Sequence, residues 1–216
     1  SWTRALEWDA EKNKIYSIED GQFVTSYYRP FFKQHLYFAR SLNEMVYQIP
    51  KLFPNPLLKN LVICVSGLGG STQNTTIITD TIPDLNCLDS GTQCFPLYYY
   101  EERPKSSPTL FDVATDTSTG SASGEYVRRD GVSDFIWERA RKQYGLSLRQ
   151  AQGAISKEDI FYYVYGFLHC PSYRETFAND LKKMLPRIPL VEDVRDFWSF
   201  SNAGRKLAEL HINYEK

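Results

Sequence analysis

One break in the hydrophobic pattern constrains this 216-residue chain more than any other feature: the period of its apolar residues changes across residues 103–124. Ahead of the break stand short β-branched and aromatic runs, "QFVTSYY", "HLYFAR", "LVICVSG", "NTTIITD" and "CFPLYYY", bounded by Gly, Pro, Asn or Asp. That is the pattern of strands joined by turns. Behind it the spacing lengthens to about 3.6 residues, the repeat of amphipathic helices. The interval itself, "RPKSSPTLFDVATDTSTGSASG", is poor in large apolar groups and predicts a mobile loop or linker. The chain therefore predicts a single α+β domain, with a β-rich part over 1–102, a loop over 103–124 and a helical part over 125–216. Within it a mainly antiparallel mixed sheet, from residues 15 to 102, packs against the helices.

The helices are marked locally. In "VSDFIWERARKQYG" Ser133 predicts an N-cap, Gly145 a stop, and Ile136 and Trp137 the inward face. "SKEDIFYYVYGFLHC" opens with Ser156 and Asp159 at capping-box spacing and is apolar nearly all round, which predicts a helix buried on most sides. "SYRETFANDLKKMLP" repeats the device with Ser172 and Glu175 and ends at Pro186, and "RIPLV" reads as extended. "VEDVRDFWSFSNAGRKLAELHI" predicts a last helix, or a pair broken at Gly204. In the first half, "EKNK" predicts a charged turn or short helix, and the prolines of "IPKLFPNPLLKN" predict an extended, irregular connection.

The formal net charge is −1, while 15 Tyr and 13 Phe help bring the aromatic share to 15%. That balance weighs against a domain that binds nucleic acid through bulk positive charge, so any such surface has to be a local patch or be supplemented by a covalently attached neighbour. No apolar run approaches the ~20 residues of a membrane span, and the start carries no signal-peptide pattern. Cys64, Cys87, Cys94 and Cys170 are scattered without a CxxC pair, which predicts reduced, mostly buried thiols, no metal site and a cytoplasmic location. The chain starts at Ser1 and is short of catalytic apparatus, which favours excision from a longer polypeptide.

"VICVSGLGGST" leads a buried strand into a Gly-rich turn. It lacks the Lys of a Walker loop, the spacing of GxGxxG and the serine placement of a nucleophile elbow. A tight β-turn is the simpler reading; an enzyme domain that binds a nucleotide or S-adenosylmethionine through Ser66–Gly70 is the alternative. His35, His169 and His211 show no metal-binding spacing, and His169, at the end of an apolar helix, predicts a satisfied core residue. No catalytic residue stands out.

Charge and aromatics remain. "SYYRPFFKQHLYF" sets Arg29, Lys33 and His35 among Tyr27, Tyr28, Phe31, Phe32, Tyr37 and Phe38, a mixture able to hold something flat and anionic. Pro30 and strand alternation place Phe31 or Phe32 in the core and leave Tyr28, Arg29 and Lys33 facing outward. In "EYVRRDG" Arg128 and Arg129 stand where the loop re-enters ordered structure, without the helix C-terminus that explains other basic clusters. Tyr28, Arg29, Lys33, His35, Arg128 and Arg129 are thus the candidate nucleic-acid-contacting residues, the arginine pair being suited to phosphate or to base edges such as guanine O6 and N7.

Taken in order, "YYRPFFKQHLYF", "CFPLYYY", "ISKEDIFYYVYGFLHCPSYRETFANDLKKMLPRIPL" and "AGRKLAELHINYE" resemble the C-terminal specificity domain of the large Type ISP restriction–modification enzymes, over nearly the whole chain outside the loop. The resemblance implies a target-recognition domain that reads an asymmetric DNA sequence for both methylation and restriction. It also implies a polypeptide carrying a nuclease, a helicase-like ATPase and an N6-adenine methyltransferase, served by ATP, Mg²⁺ and S-adenosylmethionine. The Walker and Asn-Pro-Pro-Tyr motifs of those modules are missing here, so this domain is implied to be non-catalytic and to hold no cofactor of its own. Its implied partners are double-stranded DNA and the N-terminal methyltransferase and helicase modules. A module that docks ATPase onto methyltransferase without touching DNA is the remaining reading.

Overall fold

Four consecutive residues, Val62, Ile63, Cys64 and Val65, are each no more than 1% exposed, so this strand has no solvent face at all. The computed structural model describes residues 4–18, 21–39, 41–43, 46–67, 75–88, 91–103, 125–145 and 154–215. Among these the chain runs α1 (Arg4–Glu11), β1 (Phe23–Arg29), β2 (Phe32–Tyr37), α2 (Ile49–Leu52), β3 (Val62–Val65), β4 (Thr76–Thr79), β5 (Ile82–Pro83), β6 (Gln93–Pro96) and β7 (Tyr98–Glu102). It continues with β8 (Tyr126–Asp130), α3 (Asp134–Tyr144), α4 (Lys157–Leu168), α5 (Pro171–Thr176), α6 (Ala178–Leu181) and α7 (Val194–Ile212). The fold is α+β, and its strands form small antiparallel and mixed sheets ordered β2-β1-β5, β4-β3-β6 and β7-β8.

Alternation along β3 explains its burial. Ile63 and Val65 enter a core shared with α3, α4 and α7, whereas Val62 and Cys64 enter a second core under the β1–β2 hairpin and α2. Burying each such side chain is worth roughly 1.5–3 kcal/mol, so β3 ties the two halves together. In the first core Tyr163 stacks on Phe197 at 4.9 Å between ring centroids. The Tyr163 hydroxyl donates to the Pro189 carbonyl at 2.5 Å, which fixes the extended 187–191 segment over the helices.

Several local expectations hold. The Ser133 side chain accepts from the Ile136 N–H, and Ser156 with Asp159 completes a capping box. Others are corrected. Gly204 does not break the last helix; α7 is continuous, and Gly204 instead lets the α4 backbone at Tyr162 and Gly166 pack closely against it. Ser172 does not cap a helix, since α5 starts at Pro171 after Cys170, and proline suits the first helical position. Pro50 likewise sits inside the first turn of α2 rather than in an extended connection. "CFPLYYY" divides between β6 and β7, which lie in different sheets, and β7 pairs with β8 across the interval after Arg103.

Candidate nucleic-acid interface

The tip of the first hairpin is built on Tyr27. Its ring is buried in the second core, its hydroxyl accepts the Phe31 N–H at 2.7 Å, and burial pushes its pKa up to about 12. The ladder bulges between Tyr27 and Arg29, and Phe31 takes a left-handed φ of 58°, a sparsely populated region for a bulky side chain. Phe31 and Phe32 are therefore not core residues; they are 48% and 54% exposed. The turn directs the Phe31 ring against His211 and Tyr214 at the end of α7, with centroids at 5.5 and 5.3 Å.

The basic residues of the hairpin separate. Arg29 lies over the Tyr28 ring at 4.3 Å, and its guanidinium donates to the carbonyls of Asn86 at 2.7 Å and Tyr28 at 2.9 Å, with the Asp84 carboxylate 3.5 Å away. Lys33 points inward instead of outward: its ammonium donates to the Ile212 carbonyl at 3.3 Å and lies 3.4 Å from Glu215, so it clamps the hairpin to the C-terminal helix. His35 is exposed and shares the Lys33 side of β2.

Arg128 and Arg129 lie within β8, not in a loop. Consecutive strand residues point to opposite faces, so the two do not act as a pair. Arg128 stands opposite Tyr100 and stacks over Tyr98 at 4.3 Å, while Arg129 stands opposite Tyr99 and bonds Glu101 at 3.0 Å. Gly131 then lets the chain cross the β6–β7 junction; a Cβ there would lie 2.0 Å from the Pro96 carbonyl oxygen.

Between the hairpin, α2 and β6 lies a cleft of about 1070 Å³. The Gln34–Leu36 face of β2, Gln48 ahead of α2, and Gln93 on β6 contribute to its walls. Of its described lining residues only Lys51 and Asp84 carry charge. Two of the candidate arginines stand on its rim: Arg29 binds the lining residue Asp84, and Arg129 stands opposite the lining residue Tyr99. Sequence reasoning missed the glutamines, because nothing local distinguishes an amide in a cleft from one on open surface.

Other candidate chemistry resolves as follows. Ser66 closes a β3–β4 hairpin, its N–H donating to the Thr75 carbonyl at 2.9 Å and its hydroxyl accepting the Thr75 N–H at 3.0 Å. An antiparallel strand follows rather than the helix a phosphate-binding turn would open; residues 68–70 of that turn, like the 104–124 interval, lie outside the described residues. His169 is not a satisfied core residue, since its buried Nε2 lacks a partner among the described residues and desolvation lowers its pKa to about 4. Cys64, Cys87 and Cys94 are remote in sequence yet gather in the second core, with Cys64 and Cys94 directly opposite across β3–β6. No group of His, Cys, Asp or Glu able to hold a metal ion occurs among the described residues. Nor is any described helix long and apolar enough to cross a membrane.

A two-core α+β body with an amide-lined cleft flanked by arginines is the arrangement of a binding module. The family model of the Type ISP C-terminal specificity domain matches residues 1–216, and the chain belongs to that family. Its architecture is similar to that of a DrdV–DNA complex solved by cryo-EM, with 36% identity, a TM-score of 0.77 and 99% of this chain covered. It is similar also to the ATP-dependent Type ISP restriction–modification enzyme LlaBIII bound to DNA, at 30% identity and a TM-score of 0.75 over 100% of this chain. A nuclease-deletion mutant of the Type ISP enzyme LlaGI, in complex with a DNA substrate mimic, matches at 32% identity and a TM-score of 0.69 over 100% of this chain. The chain spans 18%, 12% and 16% of those three chains respectively. No curated protein matches it.

Proposed function

We propose that this chain is the DNA target-recognition domain of a Type ISP restriction–modification polypeptide. It selects the duplex sequence on which a methyltransferase, a helicase-like ATPase and a nuclease elsewhere in that polypeptide act in the cytoplasm. ATP, Mg²⁺ and S-adenosylmethionine belong to those modules, and the domain is non-catalytic. The observation that carries the reading is a whole-chain match, at 36% identity, to part of a protein captured on DNA. The net charge of −1 fits a division of labour in which attached modules hold phosphates and this domain contributes selective contacts. Tyr28, Arg29, His35 and Arg129 remain its candidate contacts, whereas Lys33 is assigned to holding the hairpin in place and Arg128 to the stack on Tyr98.

Photocrosslinking tests the proposal. The full-length polypeptide is irradiated on duplexes carrying a halogenated pyrimidine inside or outside the target, and crosslinked peptides are mapped by mass spectrometry. Target bases should crosslink within residues 1–216. Crosslinks from target bases that fall only in other modules would refute it.

A further inference from the structure

We propose that the cleft beside the first hairpin is the base-reading site, and that Gln34, Gln48 and Gln93 are specificity-determining residues that recognise base edges, adenine above all. This rests on the target-recognition reading and deepens it. The three amides come from different elements, β2, the residue ahead of α2, and β6, and all three residues are exposed along one cleft. The Gln34 and Gln48 side chains make no hydrogen bond to another described residue. Gln93 donates from its amide nitrogen to the Gly91 carbonyl at 3.1 Å and so keeps Oε1 and a second N–H for a ligand.

The chemistry of the lining favours bases over phosphate. Among the described residues the lining carries one cation and one anion, Lys51 and Asp84, a balance that offers phosphate no net attraction. A glutamine amide matches the N6 donor and N7 acceptor that adenine presents in the major groove. The apolar wall, with Leu36 and Ile49, suits the thymine methyl of the same base pair. Further charge stands at the margin, on Arg29 and Arg129, each paired with a carboxylate and with side chains 46% and 56% exposed. A neutral amide centre with arginines at the rim is the layout expected where bases are read inside and phosphates are held outside.

Two measurements on the full-length enzyme test this. In the first, Gln34→Ala, Gln48→Ala and Gln93→Ala variants methylate a library of randomised targets. At least one variant should relax preference at a single position by about 5- to 100-fold, the range of one bidentate base contact, with affinity for random DNA unchanged. In the second, the unaltered enzyme is alkylated with N-ethylmaleimide, and the peptides bearing half-buried Cys94, which lines the cleft, and Cys170, which does not, are quantified. Target duplex should slow modification of Cys94 and leave Cys170 unchanged. If preference survives in all three variants, or if Cys94 reacts equally fast with and without target, the cleft is not the reading site. Target-base crosslinks to residues 1–216 persisting in that case would leave the recognition function standing; their loss would remove both.

Discussion

Gly166 and Gly204 face each other where α4 crosses α7, and neither position has room for a side chain. A Cβ on Gly204 would lie 2.0 Å from the Tyr162 carbonyl oxygen, and one on Gly166 would lie 2.2 Å from that of Phe200. The atoms in the way are backbone, so relief requires the helices to separate. Gly204→Ala, despite its better helix propensity, should lower stability by ~1–3 kcal/mol or more, read as a lower urea midpoint for the 216-residue chain. An unchanged or raised midpoint would show that the helices part freely.

The hairpin tip makes a second prediction. Tyr27→Phe keeps the buried ring but removes the acceptor for the Phe31 N–H, the bond that holds a left-handed phenylalanine against His211 and Tyr214. The loss should be about 1 kcal/mol or somewhat more, with faster amide exchange confined to the tip. Uniform exchange across β1 and β2 would contradict the local account.

The surroundings of His169 predict how stability depends on pH. Burial first, then the charges of His211 and Arg174, hold its pKa near 4, below the ~6.5 of an unfolded histidine. The folded state thus binds fewer protons than the unfolded chain between these values. Its contribution is complete above pH ~6.5 and is lost as pH falls from there through about 4. After allowance for partial exposure, the loss between pH 7 and pH 5 should be about 1–2 kcal/mol. His169→Phe should remove that part of the pH slope, which denaturant titrations at the two pH values would register.

Arg128 and Arg129 should behave as independent residues. Arg129→Ala removes a guanidinium on the rim of the cleft and should flatten the slope of log DNA affinity against log salt by about one unit. Arg128→Ala removes the stack on Tyr98, worth ~0.5–1 kcal/mol of stability, and should leave that slope alone. Measured affinity across a salt series separates the two, and strong coupling in the double variant would mean that the ribbon twists both toward one ligand.

What was legible in the sequence was local. The all-apolar run of β3, the Ser133 cap and the Ser156–Asp159 box each depend on a few neighbouring residues, and each appears in the structure as read. Long-range pairing was not legible. Nothing within "CFPLYYY" says that its two ends join different sheets, and nothing near Arg128 says that it pairs across the 104–124 interval with Tyr100. The same limit explains Lys33, whose partners at Ile212 and Glu215 lie at the far end of the chain.

The most direct test of the central claim exchanges residues 1–216 with the corresponding domain of a relative that methylates a different sequence. Sequencing of methylated sites then reports which target each hybrid chooses. If this domain reads DNA for the whole polypeptide, the modified sequence should follow the transplanted domain completely. A hybrid that is active and still methylates the original target would contradict the account.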